Sequence, residues 1–435
     1  METVNAWLSG IAVPVILLAA GIYFGAKMKF FFLFHPVKLM KNLSEASVAG
    51  GISPFRALTQ ALAGTLGVGN MTGVAAAICA GGAGAVFWMW VSAFLAMSVK
   101  YFEVALAVLW RRKDSRGYYG GSMYYIRDIF KGRFPIFAKA FSAVFAVLCI
   151  FNSLITGNIL QVNSAAVAFS AVRPLWIGAV ICLLAVPVMA GSAKRVSAVT
   201  LGLIPLLSGI YTALSLIIII SGFRNVQSVF IRIFNEAFSL RAAGGGAGGF
   251  LIANAIRYGT VRGIISNEAG MGTSPTAHAG ANTKSPHHQG CFGIFEVFAD
   301  TIVLCTLTAL VILLSDGIES GLYGIQLTLY AFSFGAGPAA GIVVAISVIL
   351  FAYATVICQA EYGIVALKSL TDRSWAVVLY IALSGACCLI GAVISAERVW
   401  QMADILTSVM TVLNILCLLY ACRKGYLARI IKKLQ

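Results

Sequence analysis

Two short stretches of this sequence set glycines and polar residues inside apolar surroundings: Gly64-Thr65-Leu66-Gly67-Val68-Gly69-Asn70 and Ser266-Asn267-Glu268-Ala269-Gly270-Met271-Gly272. Each glycine lowers helix propensity by about 1 kcal/mol and leaves backbone groups without side-chain cover. Such groups can face a ligand. Free amides at the end of a half-helix attract an anion, and released carbonyls accept from a cation. Two acids belong to the same picture, Glu268 in the second stretch and Asp300 in the apolar run that follows. An acid at such a position is a functional candidate by default. For Glu268 the options are ion coupling, gating or capping of freed amides; for Asp300 they are a pair with Asn70 or a cation, or a structural hydrogen bond.

The elements that must position these residues are membrane helices. At roughly 20 apolar residues per crossing, spans are expected near Leu8 to Phe24, Ala57 to Cys79, Ala85 to Trp110, Phe137 to Phe169, Leu175 to Ala190 and Ala198 to Ser221. After a Gly-rich connection, five more lie near Leu251 to Ala277, Gly293 to Ser315, Ala339 to Leu367, Trp375 to Ile394 and Val399 to Ala421. The fold class is therefore an all-α polytopic membrane protein of about eleven spans. The two glycine breaks fall in the second and seventh spans, each opening a block of five helices. Blocks of five must enter the membrane from opposite sides, so the expected architecture is a 5+5 inverted repeat (55–222 and 251–422) with one extra helix at 8–24 and a basic tail at 423–435.

Composition agrees. The 435 residues are 60% hydrophobic and 11% charged, with a mean hydropathy of +0.93, which leaves too few charges to cover a soluble surface. The net charge of +16 comes from 31 Lys and Arg against 15 Asp and Glu. These cations sit in short gaps between apolar runs, which points to an anionic membrane leaflet and not to nucleic acid. One alternating set of loops holds Lys27, Lys29, Lys38, Lys41, Arg56, the run from Arg111 to Lys139, Lys194, Arg195, Lys284, Lys368, Arg373 and the tail from Arg423 to Lys433; the other holds only Arg173, Arg224, Arg232, Arg241 and Arg398. Cytoplasmic loops are the basic ones, so the amino terminus is expected outside and the carboxy terminus inside.

Blander readings compete. Small residues spaced along a membrane helix often serve close packing alone, and Gly67 or Gly270 taken singly fits that equally well. Two breaks at matched positions favour a binding site. Gly67-Val68-Gly69 is not a dinucleotide fingerprint, since no strand precedes it and Thr72 stands where glycine is needed. No Walker loop, nucleophile elbow or metal-binding helix is present, so an enzyme is not expected. The ten cysteines are scattered through apolar runs as packing residues. Glu103 and Lys100, three apart on one helical face, read as a membrane-edge or intrahelical pair; His287-His288 read as a solvated loop with Lys284, and His278 as a satisfied packing histidine. Asp404 and Glu361 receive no role.

The run Gly81-Gly82-Ala83-Gly84-Ala85-Val86-Phe87-Trp88-Met89-Trp90, and Ser266-Asn267-Glu268-Ala269-Gly270 followed by Ala277-His278-Ala279, resemble the hallmarks of the alanine or glycine:cation symporter family. Gly64-Thr65-x-Gly67-x-Gly69-Asn70, Met123-Tyr124-Tyr125-Ile126, Gly157-Asn158-x-x-Gln161-x-Asn163-Ser164 and Asp300-Thr301-Ile302-Val303 extend the resemblance over the whole chain. It implies a leucine-transporter-like fold in a bacterial cytoplasmic membrane, and sodium-driven import of a small neutral amino acid of the alanine or glycine class. No cofactor is implied; sodium is a co-substrate. Amides of Val68, Gly69 and Asn70 would bind the substrate carboxylate, and carbonyls near Ile264, Ile265 and Ser266 with the Gln161 amide oxygen its ammonium. Sodium would take backbone oxygens of Ala63, Leu66 and Phe351 and the Thr355 hydroxyl. Departures from the pattern are Ala354 before Thr355 in place of Ser, Gln359 in place of Trp, Ile265 in place of an aromatic residue, Ala96 for Gly and Ser122 for Pro. Gln359 is expected to admit a larger or more polar substrate, such as serine, asparagine or glutamine. Proton coupling on the same fold is the main alternative, and a facilitator, channel or sensor the more distant one. Oligomeric state is left open.

Overall fold

A computed structural model describes residues 7–44, 51–115, 117–191, 193–238, 247–283, 285–315 and 317–432. Arg116, Lys284, Arg241 and Lys433 of the charge pattern, and residues 239–246 of the Gly-rich connection, lie outside these. The described chain is helical apart from one hairpin. Proline opens many of the helices, because its missing N–H is an orphan at a helix start anyway. Ser53 and Ser285 add side-chain caps, accepting from Arg56 N (3.2 Å) and His288 N (3.1 Å).

In chain order the main elements are α1 (Leu8–Lys27), α2 (Pro54–Thr65), α3 (Thr72–Gly81), α4 (Gly84–Leu109), the strands β1 (Arg112–Asp114) and β2 (Gly117–Tyr119), α5 (Ser122–Lys131), α6 (Pro135–Ala168), α7 (Pro174–Met189), α8 (Ala193–Ser221) and α9 (Phe223–Phe238). There follow α10 (Ala247–Asn267), α11 (Pro275–Ala279), α12 (Pro286–Leu314), α13 (Ile325–Ala336), α14 (Pro338–Leu370), α15 (Ser374–Val393) and α16 (Ala396–Arg423). Each expected span coincides with one of these helices or helix pairs. Among the described residues, 8 helices are long and apolar enough to cross a membrane; α2 with the Val68–Gly81 segment, bent by 59°, makes 9. Helix α7 is apolar but only 16 residues long, and α10 carries Arg257 and Arg262.

Helix α4 is a central post, and glycines let neighbours approach it closely. A Cβ on Gly259 of α10 would meet Ala85 O at 2.3 Å, and one on Gly21 of α1 would meet Leu95 Cβ at 2.6 Å. On α12, a Cβ on Gly290 would meet the Tyr101 ring at 2.8 Å. The strands pair antiparallel with Lys113 opposite Tyr118, and Arg111 stacks 3.7 Å from the Tyr118 ring centroid. Arg111 also donates to the carbonyls of Ala281 and, at 3.2 Å, Thr283, which ties the hairpin to the α11–α12 link.

Helix α9 lies where the sequence predicts only a connection between spans. Its polar residues recur at helical spacing, and Phe230, Phe234 and Phe238 lie against Phe87, Trp88 and Trp90 of α4. Glu236 Oε2 accepts from Ala83 N at 2.6 Å, capping the start of α4. Much of the run Gly81 to Trp90 is thus a seat for α9.

Candidate functional site

In the first break the helix ladder is handed to side chains. Helix α2 ends at Thr65, a turn of 3₁₀ helix covers Val68–Asn70, and α3 resumes at Thr72. In an unbroken helix Gly67 N and Val68 N would bond to Ala63 O and Gly64 O. Here Gly67 N goes to Thr65 O (2.8 Å) and Val68 N to Gln161 Oε1 (3.2 Å). The carbonyl of Ala63 accepts from Thr355 Oγ1 at 2.9 Å. That of Gly64 accepts from Gln359 Nε2 at 3.4 Å. A Cβ on Gly67 would stand 2.5 Å from Gln161 Oε1 and 2.8 Å from Thr355 Oγ1, so glycine is what allows both oxygens to converge on this turn.

The second break is organised by acids. Helix α10 ends at Asn267, and Glu268, Gly270 and Gly272 have φ of 54°, 84° and 81°, the left-handed region that glycine adopts freely and Glu does not. Glu268 N keeps its helical bond to Ile264 O (2.7 Å), so that carbonyl, expected to be released, stays in the ladder. The next two amides leave it. Ala269 N bonds to Asn267 Oδ1 (3.0 Å) and Gly270 N to Glu103 Oε2 (2.9 Å), which frees the carbonyls of Ile265 and Ser266 from α-helical bonding. Glu268 accepts from Thr273 Oγ1 at 2.7 Å and from Gln359 Nε2.

The two breaks touch. A Cβ on Gly69 would lie 3.0 Å from Ser266 Cα, and Asp300 binds both sides of that contact. Its carboxylate accepts from Asn70 Nδ2 (2.8 Å), Ser266 Oγ (2.7 Å) and Thr301 Oγ1 (2.8 Å). Of the options open to Asp300, the pair with Asn70 is present, within a set of buried hydrogen bonds. Asn70 Oδ1 is buried without a partner among the described residues. Asp300 and Gln161 each stand in or just after a π-helical segment, Phe298–Cys305 and Ile155–Ile159, a distortion that often accompanies functional positions. Val68, Gly69, Asn70, Gln161, Ser266, Gln359, Ala63 and Thr355 thus converge, with Ile264, Ile265, Leu66 and Phe351 also buried. Phe351 lies one turn before Thr355 on α14.

Behind the second break lies a buried ionic cluster. Lys100 and Glu103 are 0% exposed, which corrects their reading as a membrane-edge pair: Lys100 Nζ bonds to Glu296 Oε1 (3.2 Å), whereas Glu103 takes Gly270 N and Asn414 Nδ2. His278 Nε2 and Ser274 Oγ also bond to Glu296, so His278 is satisfied as expected. His287 and His288 are buried rather than solvated, because α12 already starts at Pro286; His287 Nδ1 lies 2.6 Å from Tyr101 Oη. Arg262 forms a two-pronged pair with Asp404 (2.5 and 3.1 Å) over the Trp400 ring. These partners, and Glu296, were not found from sequence. A cavity of about 1140 Å³ opens among the hairpin and the ends of α7, α8, α14 and α15, lined by Lys113, Lys194, Glu361, Lys368 and Asp372.

The profile of the sodium:alanine symporter family matches residues 1–431. Among curated relatives, a sodium/alanine symporter, AgcS, of Methanococcus maripaludis is 36% identical, covering 96% of this chain and 93% of that protein. A probable sodium/glutamine symporter, GlnT, of Bacillus subtilis is 32% identical, covering 94% and 85%. Among solved structures, a sodium-coupled sialic acid symporter matches with a TM-score of 0.49 and 12% identity, covering 98% of this chain and 84% of that one. The protein is a multi-pass membrane transporter, not an enzyme, and it belongs to the sodium:alanine symporter family.

Proposed function

We propose that this chain imports a small neutral amino acid together with sodium by alternating access, through eleven spans arranged as a 5+5 inverted repeat (55–222 and 251–422) behind an extra helix at 8–24. The observation that carries the reading is the meeting of two broken helices at Gly69 and Ser266, bridged by Asp300. A zwitterion in a low-dielectric site needs both donors and acceptors. Amides of Gly69 and Asn70, joined by Val68 N when Gln161 Oε1 releases it, serve as donors to the carboxylate; the carbonyls of Ile265 and Ser266 and Gln161 Oε1 are among the acceptors open to the ammonium. Sodium, a hard cation that takes oxygen ligands, sits among Ala63 O, Leu66 O, Phe351 O and Thr355 Oγ1, a set to which Gln161 Oε1 is close. Asp300 couples the two breaks.

The lysine-lined cavity is the inward vestibule, in keeping with amino terminus out and the 423–435 tail in the cytoplasm; the buried Arg262–Asp404 pair closes the opposite side. Alanine and glutamine are both candidate cargoes, since relatives are named for each. Proton coupling is the second reading. It is favoured by Ala354, and by Glu103, Glu268 and Asp300, whose hydrogen-bond donors are all neutral.

Uptake of a labelled amino-acid panel into proteoliposomes, with an inward sodium gradient, an inward proton gradient or neither, tests this. Accumulation under sodium alone is expected. Accumulation under protons alone moves coupling to an acid, and equilibration without accumulation in every arm sinks coupled transport.

A further inference from the structure

The Gln359 amide does something that a pocket wall would not. Its Nε2 donates to Glu268 Oε1, in the second break, and reaches Gly64 O, in the first, at 3.4 Å. One NH₂ group therefore spans an acceptor from each broken helix. Both acceptors are unusual. The Gly64 carbonyl has lost its helical donor to Gln161, and the Glu268 carboxylate, 2% exposed, is held in place by a backbone at φ 54°. A buried carboxylate beside a released carbonyl is a receptor for positive charge.

The other end of the same amide is left over. Gln359 Oε1 is buried with no partner among the described residues, and so are Thr156 Oγ1 and both amide atoms of Asn152 on α6. Helix α6 packs directly here, for a Cβ on Gly157 would stand 2.4 Å from Gln359 Cβ. Buried polar atoms without partners are rare and call for an occupant or a rearrangement.

We propose that Glu268 Oε1 and Gly64 O receive the ammonium group of the transported amino acid, and that the Gln359 amide is an internal stand-in which the ammonium displaces. This rests on the amino-acid transporter reading above. The displaced amide turns toward the unpartnered Thr156 Oγ1 and Asn152 amide of α6, and the third N–H of the ammonium is left for a released carbonyl of the second break, so that three acceptors meet three N–H donors. A bare sodium ion has the same charge but takes several oxygens around it, and three leave it under-coordinated. No bond is made or broken; hydrogen-bond partners are exchanged.

The test uses the full-length protein in nanodiscs, thermal stabilisation being read with sodium alone and then with each of the twenty standard amino acids, or lactate, at saturating sodium. Glu268→Gln is expected to weaken binding of the tightest amino acid by roughly tenfold or more, the loss of one charge-assisted bond, with the sodium-alone shift unchanged. Gln359→Leu, which removes the stand-in and keeps the receptor, is expected to bind that amino acid severalfold more tightly. Lactate, which has no ammonium, should give no shift in any protein. Glu268→Gln binding within twofold of wild type overturns the proposal, and so does a monodisperse Glu268→Gln that has lost its response to sodium, which would make the receptor a sodium site. Weaker binding by Gln359→Leu overturns it too, and decides the matter if Glu268→Gln is not monodisperse. Wild-type protein that responds to none of the twenty amino acids refutes the amino-acid cargo proposed above, an outcome separate from all of these.

Discussion

The two broken helices solve the same problem with different chemistry. Around residues 63–70, the freed backbone groups are met by neutral side chains: Gln161, Thr355 and the amide of Gln359. Around residues 264–274, Asn267 holds one freed amide, and the others are met by a carboxylate and a group bonded to it: Glu103 at Gly270 N and Asn414 between Glu103 and Gly270 O. The backbone of the first break is held by neutral groups, and carboxylates reach it only through Asn70 and Gln359, while the second depends on charge balance in a low-dielectric interior, where interactions are strong and unpaired groups expensive. Substitutions at the second break should therefore act on stability first, and those at the first break on transport first.

The largest effect is expected from Lys100→Met. It strands Glu296 in the interior, and removing one member of a buried pair costs about 3–5 kcal/mol. The thermal midpoint in nanodiscs should drop steeply; an unchanged midpoint would mean that the cluster is already neutral. Next comes Gly67→Ala, whose Cβ would sit 2.5 Å from Gln161 Oε1. Overpacking of this kind costs roughly 1–3 kcal/mol, so uptake should fall about 10- to 100-fold with little loss of folded protein. Asp300→Asn keeps the shape that joins the breaks and removes the charge. Hydrogen bonds to charged groups exceed neutral ones by about 1 kcal/mol or more, and uptake should fall roughly 10-fold. The smallest effect is expected from Thr355→Ala, which deletes one hydroxyl worth about 1 kcal/mol; half-saturation by sodium should rise roughly fivefold while the thermal midpoint barely moves. If Thr355→Ala proves as destabilising as Lys100→Met, the contrast between the breaks is wrong.

Much of the site was legible because polarity is conspicuous against an apolar background. Gly67, Asn70, Gln161, Ser266, Thr355 and Gln359 stand out in helices that otherwise need none of them. What was not legible is pairing at a distance. Lys100 and Glu103 share a helix face, yet their partners lie 196 and 311 residues away, and local spacing carries no trace of them. His287 and His288 have the composition of a loop, but a capped helix start draws them inside. Helix α9 forms no continuous apolar run because only one of its faces is apolar, and Glu236, which caps α4, looks like any surface charge.

The Lys100–Glu296 pair has a consequence for how the protein is made. Helix α4 enters the bilayer carrying a lysine and a glutamate, each worth about 2.5–3.5 kcal/mol against insertion at a helix centre. Glu296, the counter-charge of Lys100, is 196 residues downstream. At 5–20 residues per second that is roughly 10–40 s of synthesis. For that interval the nascent chain holds an unmatched cation, which must stay beside the translocon, snorkel to the surface or borrow a neighbour. Assembly of the amino-terminal half is thus completed only when the carboxy-terminal half arrives, and a chain truncated before α12 should be cleared by quality control instead of accumulating as a stable fragment.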